Sequence, residues 1–178
     1  MIKLMKIIKT FRYKEARDYS CLTCPLPKKI TDEILSWIKD NISDQDLTGD
    51  GKESQIHVTV KYGIHTHDIT DIKQAIWGYG PIDIILGKID VFENEDQDVV
   101  KIDVKSPQLH EFNKFISNKF DHTDSYPTYQ PHITLAYLKP GLGKKYSGIK
   151  KFEGIEVKLE ETIFSGNDYR ETTIPLEI

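Results

Sequence analysis

The sequence predicts an α+β fold: a bilobal, pseudo-twofold arrangement of two small antiparallel sheets, backed by helices, with a groove between them. Three observations lead there. One strand pattern is written twice, as Gln55-Ile56-His57-Val58-Thr59-Val60-Lys61-Tyr62 and as Gln130-Pro131-His132-Ile133-Thr134-Leu135-Ala136-Tyr137. A helical pattern precedes each copy, and a hairpin with a phenylalanine near its turn (Phe92 or Phe164) follows each. Alternation along a strand puts His57, Thr59 and Lys61 on one face and Val58, Val60 and Tyr62 on the other. In the second copy it sets His132, Thr134 and Ala136 against Ile133, Leu135 and Tyr137.

The elements follow in order. Residues 1–16 read as an N-terminal extension, helical or disordered, ahead of a single domain over residues 17–178. Tyr19–Cys24, rich in β-formers and bounded by Pro25 and Pro27, is the first strand. Thr31 is the expected N-cap of a helix, with Ile30 and Leu35 as a hydrophobic staple and Ile34, Ile38 and Ile42 on its buried stripe beside Trp37. Asn41 to Ser54 reads as a flexible polar loop. Its Asp46-Leu47-Thr48-Gly49-Asp50-Gly51 imitates the start of a calcium loop, but the twelfth position, which needs a bidentate Glu, is His57.

After the first motif Gly63 is expected to break the strand. His65, His67 and Asp68 then read as a helix approach, capped by Asp68 or Thr70, rather than as a metal site. The helix runs through Ile69, Ile72 and Ile76. Trp77 closes it, favoured as core, and is kept as a candidate base-stacking platform for substrate. Ile82–Phe92 and Val99–Lys105 form a hairpin across an acidic turn. Ser106 and Pro107 supply N-cap and N1 for a helix with Leu109, Phe112 and Ile116 inside. Pro131 suits a strand's first position. Ile155–Phe164 and Thr172–Leu176 read as a second hairpin, turned at Gly166-Asn167-Asp168.

Composition narrows the functional classes. The 178 residues are 38% hydrophobic and 29% charged, with a formal net charge of −4. That is ordinary for a soluble domain and offers no basic field for long nucleic acid. Lys139, Lys144, Lys145, Lys150, Lys151 and Lys158 gather after the second motif, as a solvated loop or as a local attractor for phosphate. Cys21 and Cys24 form one C-x-x-C with no second pair, so they read as reduced cysteines in a strand, consistent with a cytoplasmic protein. No apolar run is long enough to span a membrane.

The paired motifs carry the chemistry. One neutral imidazole can accept a proton from a nucleophile while a second, protonated, gives one to the leaving group. Both work near pH 7 because the ordinary histidine pKa is about 6.5. A threonine hydroxyl two residues on can hold a phosphate oxygen. The reaction this suits is acid–base cleavage of a phosphodiester, with a ribose 2′-OH or water as nucleophile, and no cofactor or metal is demanded.

His57-Val58-Thr59-Val60 and His132-Ile133-Thr134-Leu135 resemble the paired motifs of the 2H phosphoesterase superfamily, which includes the RNA 2′,5′-ligase/cyclic phosphodiesterase group. The resemblance covers most of residues 19–178 and implies a bilobal fold with a metal-independent site. With Asp18-Tyr19-Ser20-Cys21-Leu22 and the run Ile56–Gly63, the chain looks most like the phage anti-CBASS enzymes, which degrade cyclic di- and trinucleotide alarm signals. That resemblance implies His57 and His132 as the catalytic pair with Thr59 and Thr134 on the phosphate. It also implies an aromatic residue near the first strand stacking on a base, for which Tyr19 is the candidate, and a late acidic residue holding the nucleotide. Parity along Val157–Ile163 would put Lys158, Glu160 and Thr162 in the groove, which selects Glu160. A monomer in the cytoplasm, the host's if phage-encoded, is expected. Two other readings stay open: an enzyme of RNA 2′,3′-cyclic or 2′–5′ ends, and a non-catalytic nucleotide sponge.

Overall fold

The first strand is short because prolines end it: β1 spans Ser20–Pro25, and Pro27 then delivers the chain into α1, Lys28–Asn41. The computed structural model describes residues 18–178, so the expected extension at 1–16 lies outside the described residues. Helix α1 starts earlier than the capping signal suggested. Pro27 occupies the N-cap with no side-chain cap, and Thr31 sits inside the first turn, its Oγ1 donating to the Leu26 carbonyl at 3.0 Å. The extended backbone fixed by Pro27 sets the start, and the threonine becomes a local brace. Ile34, Trp37, Ile38 and Ile42 are buried, as their spacing requires.

The polar stretch expected as loop contains a strand, β2, Leu47–Lys52. Glycine and aspartate are poor strand formers, but β2 lies at a sheet edge where its partner supplies the ladder. The first motif strand, β3, spans His57–Ile64 and continues through Gly63. Gly63 has φ +85°, and a Cβ there would stand 2.0 Å from the Thr123 carbonyl oxygen. The glycine admits a passing backbone instead of ending the strand. Helix α2, Ile69–Ile76, is capped by Asp68, whose carboxylate accepts from Thr70 N–H at 2.7 Å. Strands β4 (Ile82–Phe92) and β5 (Asp98–Lys105) make the expected hairpin. Helix α3, Pro107–Lys119, starts at Ser106, whose hydroxyl accepts from Leu109 N–H at 3.1 Å. Strands β6 (His132–Leu138), β7 (Glu156–Leu159), β8 (Glu161–Ser165) and β9 (Glu171–Pro175) complete the chain.

Two antiparallel sheets result, with strand orders β3-β1-β8-β9 and β2-β6-β5-β4-β7. Apart from the added β2, the second order repeats the first. Each motif strand pairs with the strand that precedes the helix before it, and a further pair lies beyond. This is the pseudo-twofold that the repeated motif announced. The apolar faces share one core, which includes Leu22, Val58, Val60, Leu86, Ile102, Phe112 and Leu135. Both cysteines are buried, Cys24 in that core, where burial pushes its thiol up to about 12 and leaves it inert at neutral pH.

Three irregularities bear on the side chains expected at the site. Against β1, Thr59 faces Thr23 and Lys61 faces Leu22, so Val60 is an extra residue. Against β5, Thr134 faces Lys101 and Ala136 faces Val100, so Leu135 is extra. Both motif strands thus bulge at the residue after the threonine, and a bulge shifts the alternation beyond it. Lys61 and Ala136, expected beside the threonines, are buried, whereas Tyr62 emerges to solvent. The third irregularity separates what looked like one strand. Ile155–Phe164 divides at Glu160 into β7, which pairs with β4, and β8, which pairs with β1. The chain changes sheets there, so Thr162 is buried rather than groove-facing, and the parity argument fails beyond Leu159. Only β8 and β9 form the late hairpin.

Candidate functional site

Each motif histidine is held in the same way. His57 Nδ1 lies 2.7 Å from the Gln55 carbonyl oxygen and His132 Nδ1 lies 2.7 Å from that of Gln130. A carbonyl only accepts, so Nδ1 carries the hydrogen in both rings and Nε2 is the nitrogen left for chemistry. Strands β3 and β6 touch across the two sheets, close enough for the charge of His57 to act on His132. The structure therefore brings His57, Thr59, His132 and Thr134 to one place, half-buried at the meeting of the sheets.

Two side chains tie the second half of the site to the first. Tyr129, just before β6, donates its hydroxyl to the Thr59 carbonyl at 2.8 Å, and Asn113 of α3 donates Nδ2–H to the Val60 carbonyl at 2.7 Å. Burial raises the Tyr129 phenol well above its ordinary range, so it stays a donor. The loop ahead of Tyr129 runs along the same edge of β3. Thr123 N–H donates to the Gly63 carbonyl at 2.9 Å, and Asp124 takes a charged hydrogen bond at 2.5 Å from buried Lys61. That bond holds the Asp124 carboxyl below its usual range.

The halves differ in their surroundings. The Phe92 ring meets His132 edge-on at 5.0 Å, and Lys101 Nζ lies 4.4 Å over the same ring. Lys101 also pairs with Asp103, which stands across the ladder from His132. Asp103 fits because Gly87 is opposite: a Cβ there would come within 2.9 Å of Asp103 Cβ. Burial is the first cause holding the His132 imidazole below its ordinary pKa. Lys101 and His57 act the same way, while the Gln130 carbonyl and Asp103 oppose them. Beyond its bulge β6 turns Tyr137 toward Thr134 and Glu53. Burial, then the Glu53 and Asp50 carboxylates, raises the Tyr137 phenol.

Phe92, Lys101, Asp103, Tyr129 and Tyr137 were not assigned to the site from sequence. A signal for two of them existed: Lys101 and Asp103 alternate with the apolar Val100, Ile102 and Val104, which marks a polar face on a hairpin strand. Tyr129 carries no such signal.

The remaining candidates lie at different distances from the motif strands. Tyr19 precedes β1, stacked on His65 at 5.2 Å and edge-on to Tyr62 at 6.4 Å. Its end of the ladder pairs Ser20 with Ile64, whereas His57 pairs with Pro25 at the other end, about 20 Å along the strand at the usual rise. Trp77 is 88% exposed, so the favoured core placement is wrong: the helix ends at Ile76 before its stripe reaches the indole. Trp77 lines a cavity of about 330 Å³ with Ile174, Pro175 and Ile178, and neither histidine borders it. Glu160 is exposed at the sheet change, on an open cavity of about 520 Å³ shared with Pro27, Lys29 and Lys158. Among the clustered lysines Lys139 donates to the Gln45 carbonyl, while Lys145, Lys150 and Lys158 pair with Asp46, Glu153 and Asp83. Those local partners favour the solvated-loop reading. No helix of the described residues is long and apolar enough to cross a membrane.

The same architecture occurs in known structures. TT0787 of Thermus thermophilus matches with TM-score 0.57 at 13% identity, over 89% of this chain and 95% of that one. E. coli LigT complexed with 3′-AMP matches with TM-score 0.59 at 14% identity, over 91% and 96%. E. coli LigT complexed with NADP+ gives 0.56 at 15%, over 92% and 96%. No curated protein matches by sequence. The fold is that of the LigT-like 2H phosphoesterases. A family model, anti-CBASS protein Acb1, matches residues 26–170. The chain belongs to that family, and is with it a phosphodiesterase of cyclic nucleotides that counters CBASS.

Proposed function

We propose that His57 and His132 are the proton-transfer pair that cleaves 3′–5′ phosphodiester bonds in cyclic di- or trinucleotides. The observation that carries this reading is the matched anchoring of both rings through Nδ1, which leaves two Nε2 atoms available in one site. His132, kept neutral by burial, takes the proton from the attacking hydroxyl. That oxygen bonds to phosphorus as the bond to the 5′ oxygen breaks, and His57 supplies the proton the leaving oxygen needs. Thr59 and Thr134 donate to the non-bridging oxygens. Glu160 is a fitting acceptor for a base amino group. Its cavity reaches Pro27, close to the Leu26 N–H that bonds the Ile56 carbonyl beside His57. Tyr19 and Trp77 serve as stacking surfaces only for a substrate that extends away from the histidines. One copy of the chain holds both half-sites, which supports action as a monomer, and the substrate class points to the host cytoplasm.

The test is incubation with a panel of cyclic di- and trinucleotides in excess EDTA, with products identified by mass. Cleavage that His57→Ala or His132→Ala abolishes is the expected result. Ligand recovered intact from the wild type would replace the enzyme with a sponge. A second reading has one observation in its favour, the mononucleotide bound in the structurally similar E. coli LigT: activity on linear RNA 2′,3′-cyclic ends alone would select it.

A further inference from the structure

We propose that Lys101 is a third catalytic group, a fixed cation that neutralises charge on the non-bridging phosphate oxygens during cleavage. This rests on the phosphodiesterase reading above and goes beyond its two histidines and two threonines. Lys101 is 4% exposed and stands directly across the ladder from Thr134, so its side chain shares the threonine's face of the sheet. Its ammonium lies over Phe92, the ring that packs on His132.

Fold symmetry does not demand a charge at this position. The equivalent partner of Thr59 on β1 is Thr23, and that of His57 is Pro25, so the other half-site has neutral residues where this one has Lys101 and Asp103. The partner of Lys101 within the protein is a carboxylate that solvent also reaches. Asp103 is half-exposed, and Asp90, in register on the other side, is engaged by the Ser147 hydroxyl at 2.6 Å. A buried ammonium is costly, and a phosphate bound between the threonines is the partner that this geometry provides. When the attacking oxygen bonds to phosphorus, negative charge on the non-bridging oxygens rises. Lys101 holds it without giving up a proton, and the proton transfers stay with the histidines.

The test compares Lys101→Met, Lys101→Arg, Asp103→Asn and the double variant Lys101→Met/Asp103→Asn on a 3′,3′-linked cyclic dinucleotide. Lys101→Met is expected to lower kcat by about 100-fold, with Lys101→Arg in between. It should also move the acid limb of the kcat/KM profile to higher pH, because removing a positive charge raises the pKa of His132. Asp103→Asn, which keeps the ammonium and loses only its brace, should lower kcat by no more than about tenfold, and the double variant should stay as slow as Lys101→Met. If Lys101 only balances Asp103, the double variant recovers and Asp103→Asn falls to the level of Lys101→Met. Either result overturns the proposal, and Asp103→Asn decides it even if Lys101→Met does not fold. A wild type that cuts no cyclic dinucleotide defeats the parent reading and this inference together, whereas an active wild type matched by Lys101→Met defeats only the role of Lys101.

Discussion

At the scale of single residues, the two imidazoles are equivalent in their anchors and unequal in their neighbours, and in the proposed mechanism that inequality divides their roles. Replacing either histidine by alanine should cost about 10²–10⁴-fold in kcat while leaving the melting temperature nearly unchanged, checked by single-turnover cleavage beside a thermal melt. Because burial lowers the His132 pKa, the base stays unprotonated to more acid pH than an ordinary imidazole. The acid limb of the kcat/KM profile should therefore fall below about pH 6.5, and a limb above that value would reassign the base. The histidines and threonines were legible from sequence because polar residues at every second position of an otherwise apolar strand mark a face that the core does not cover. Lys101 was legible only as part of a polar face on a hairpin strand, and its burial was not, since such a lysine looks like any solvated one until its neighbours cover it. Tyr129 was illegible for a different reason: its contact is a main-chain carbonyl, which leaves no trace in residue type.

At the scale of elements, the matched bulges decide which side chains reach the site. Had alternation continued, Lys61 and Ala136 would flank the threonines; with one extra residue in each strand, Tyr137 reaches Thr134 instead. Deleting Leu135 removes the extra residue, so Ala136 should stay inward and Tyr137 beside Thr134 while the core loses a buried leucine; a lowered melting temperature with kcat no worse than that of Tyr137→Phe checks this. Gly63 marks where the strand-edge loop docks. Gly63→Ala combines a left-handed backbone with a collision against Thr123, so a loss of at least about 1–3 kcal/mol is expected by urea denaturation. The strands with clear alternation and the capped helix α3 were legible from the sequence. Strand β2 and the change of sheets at Glu160 were not, because pairing with a distant partner sets both and local propensity opposes the first.

At the scale of the whole molecule, charge linkage and strand order set the limits. Asp124 binds its proton only below the usual carboxylate range in the folded protein. Its contribution is therefore present above about pH 4 and is lost as pH falls through the folded value. His132, with its folded pKa depressed, adds a penalty that begins below about pH 6.5, where the unfolded chain takes up a proton the folded one refuses. Both act in the same direction, so denaturation midpoints should decline on acidification, and Lys61→Met should remove the Asp124 part. The order β3-β1-β8-β9 has a further outcome for biosynthesis. The lobe that carries His57 begins with nearly the first described residues, yet β1 lacks its second neighbour until β8 has left the ribosome. Until then β1 and β3 are a two-stranded ribbon, which is marginal alone. The nascent chain thus waits for β8 before the two motif histidines can be fixed against each other.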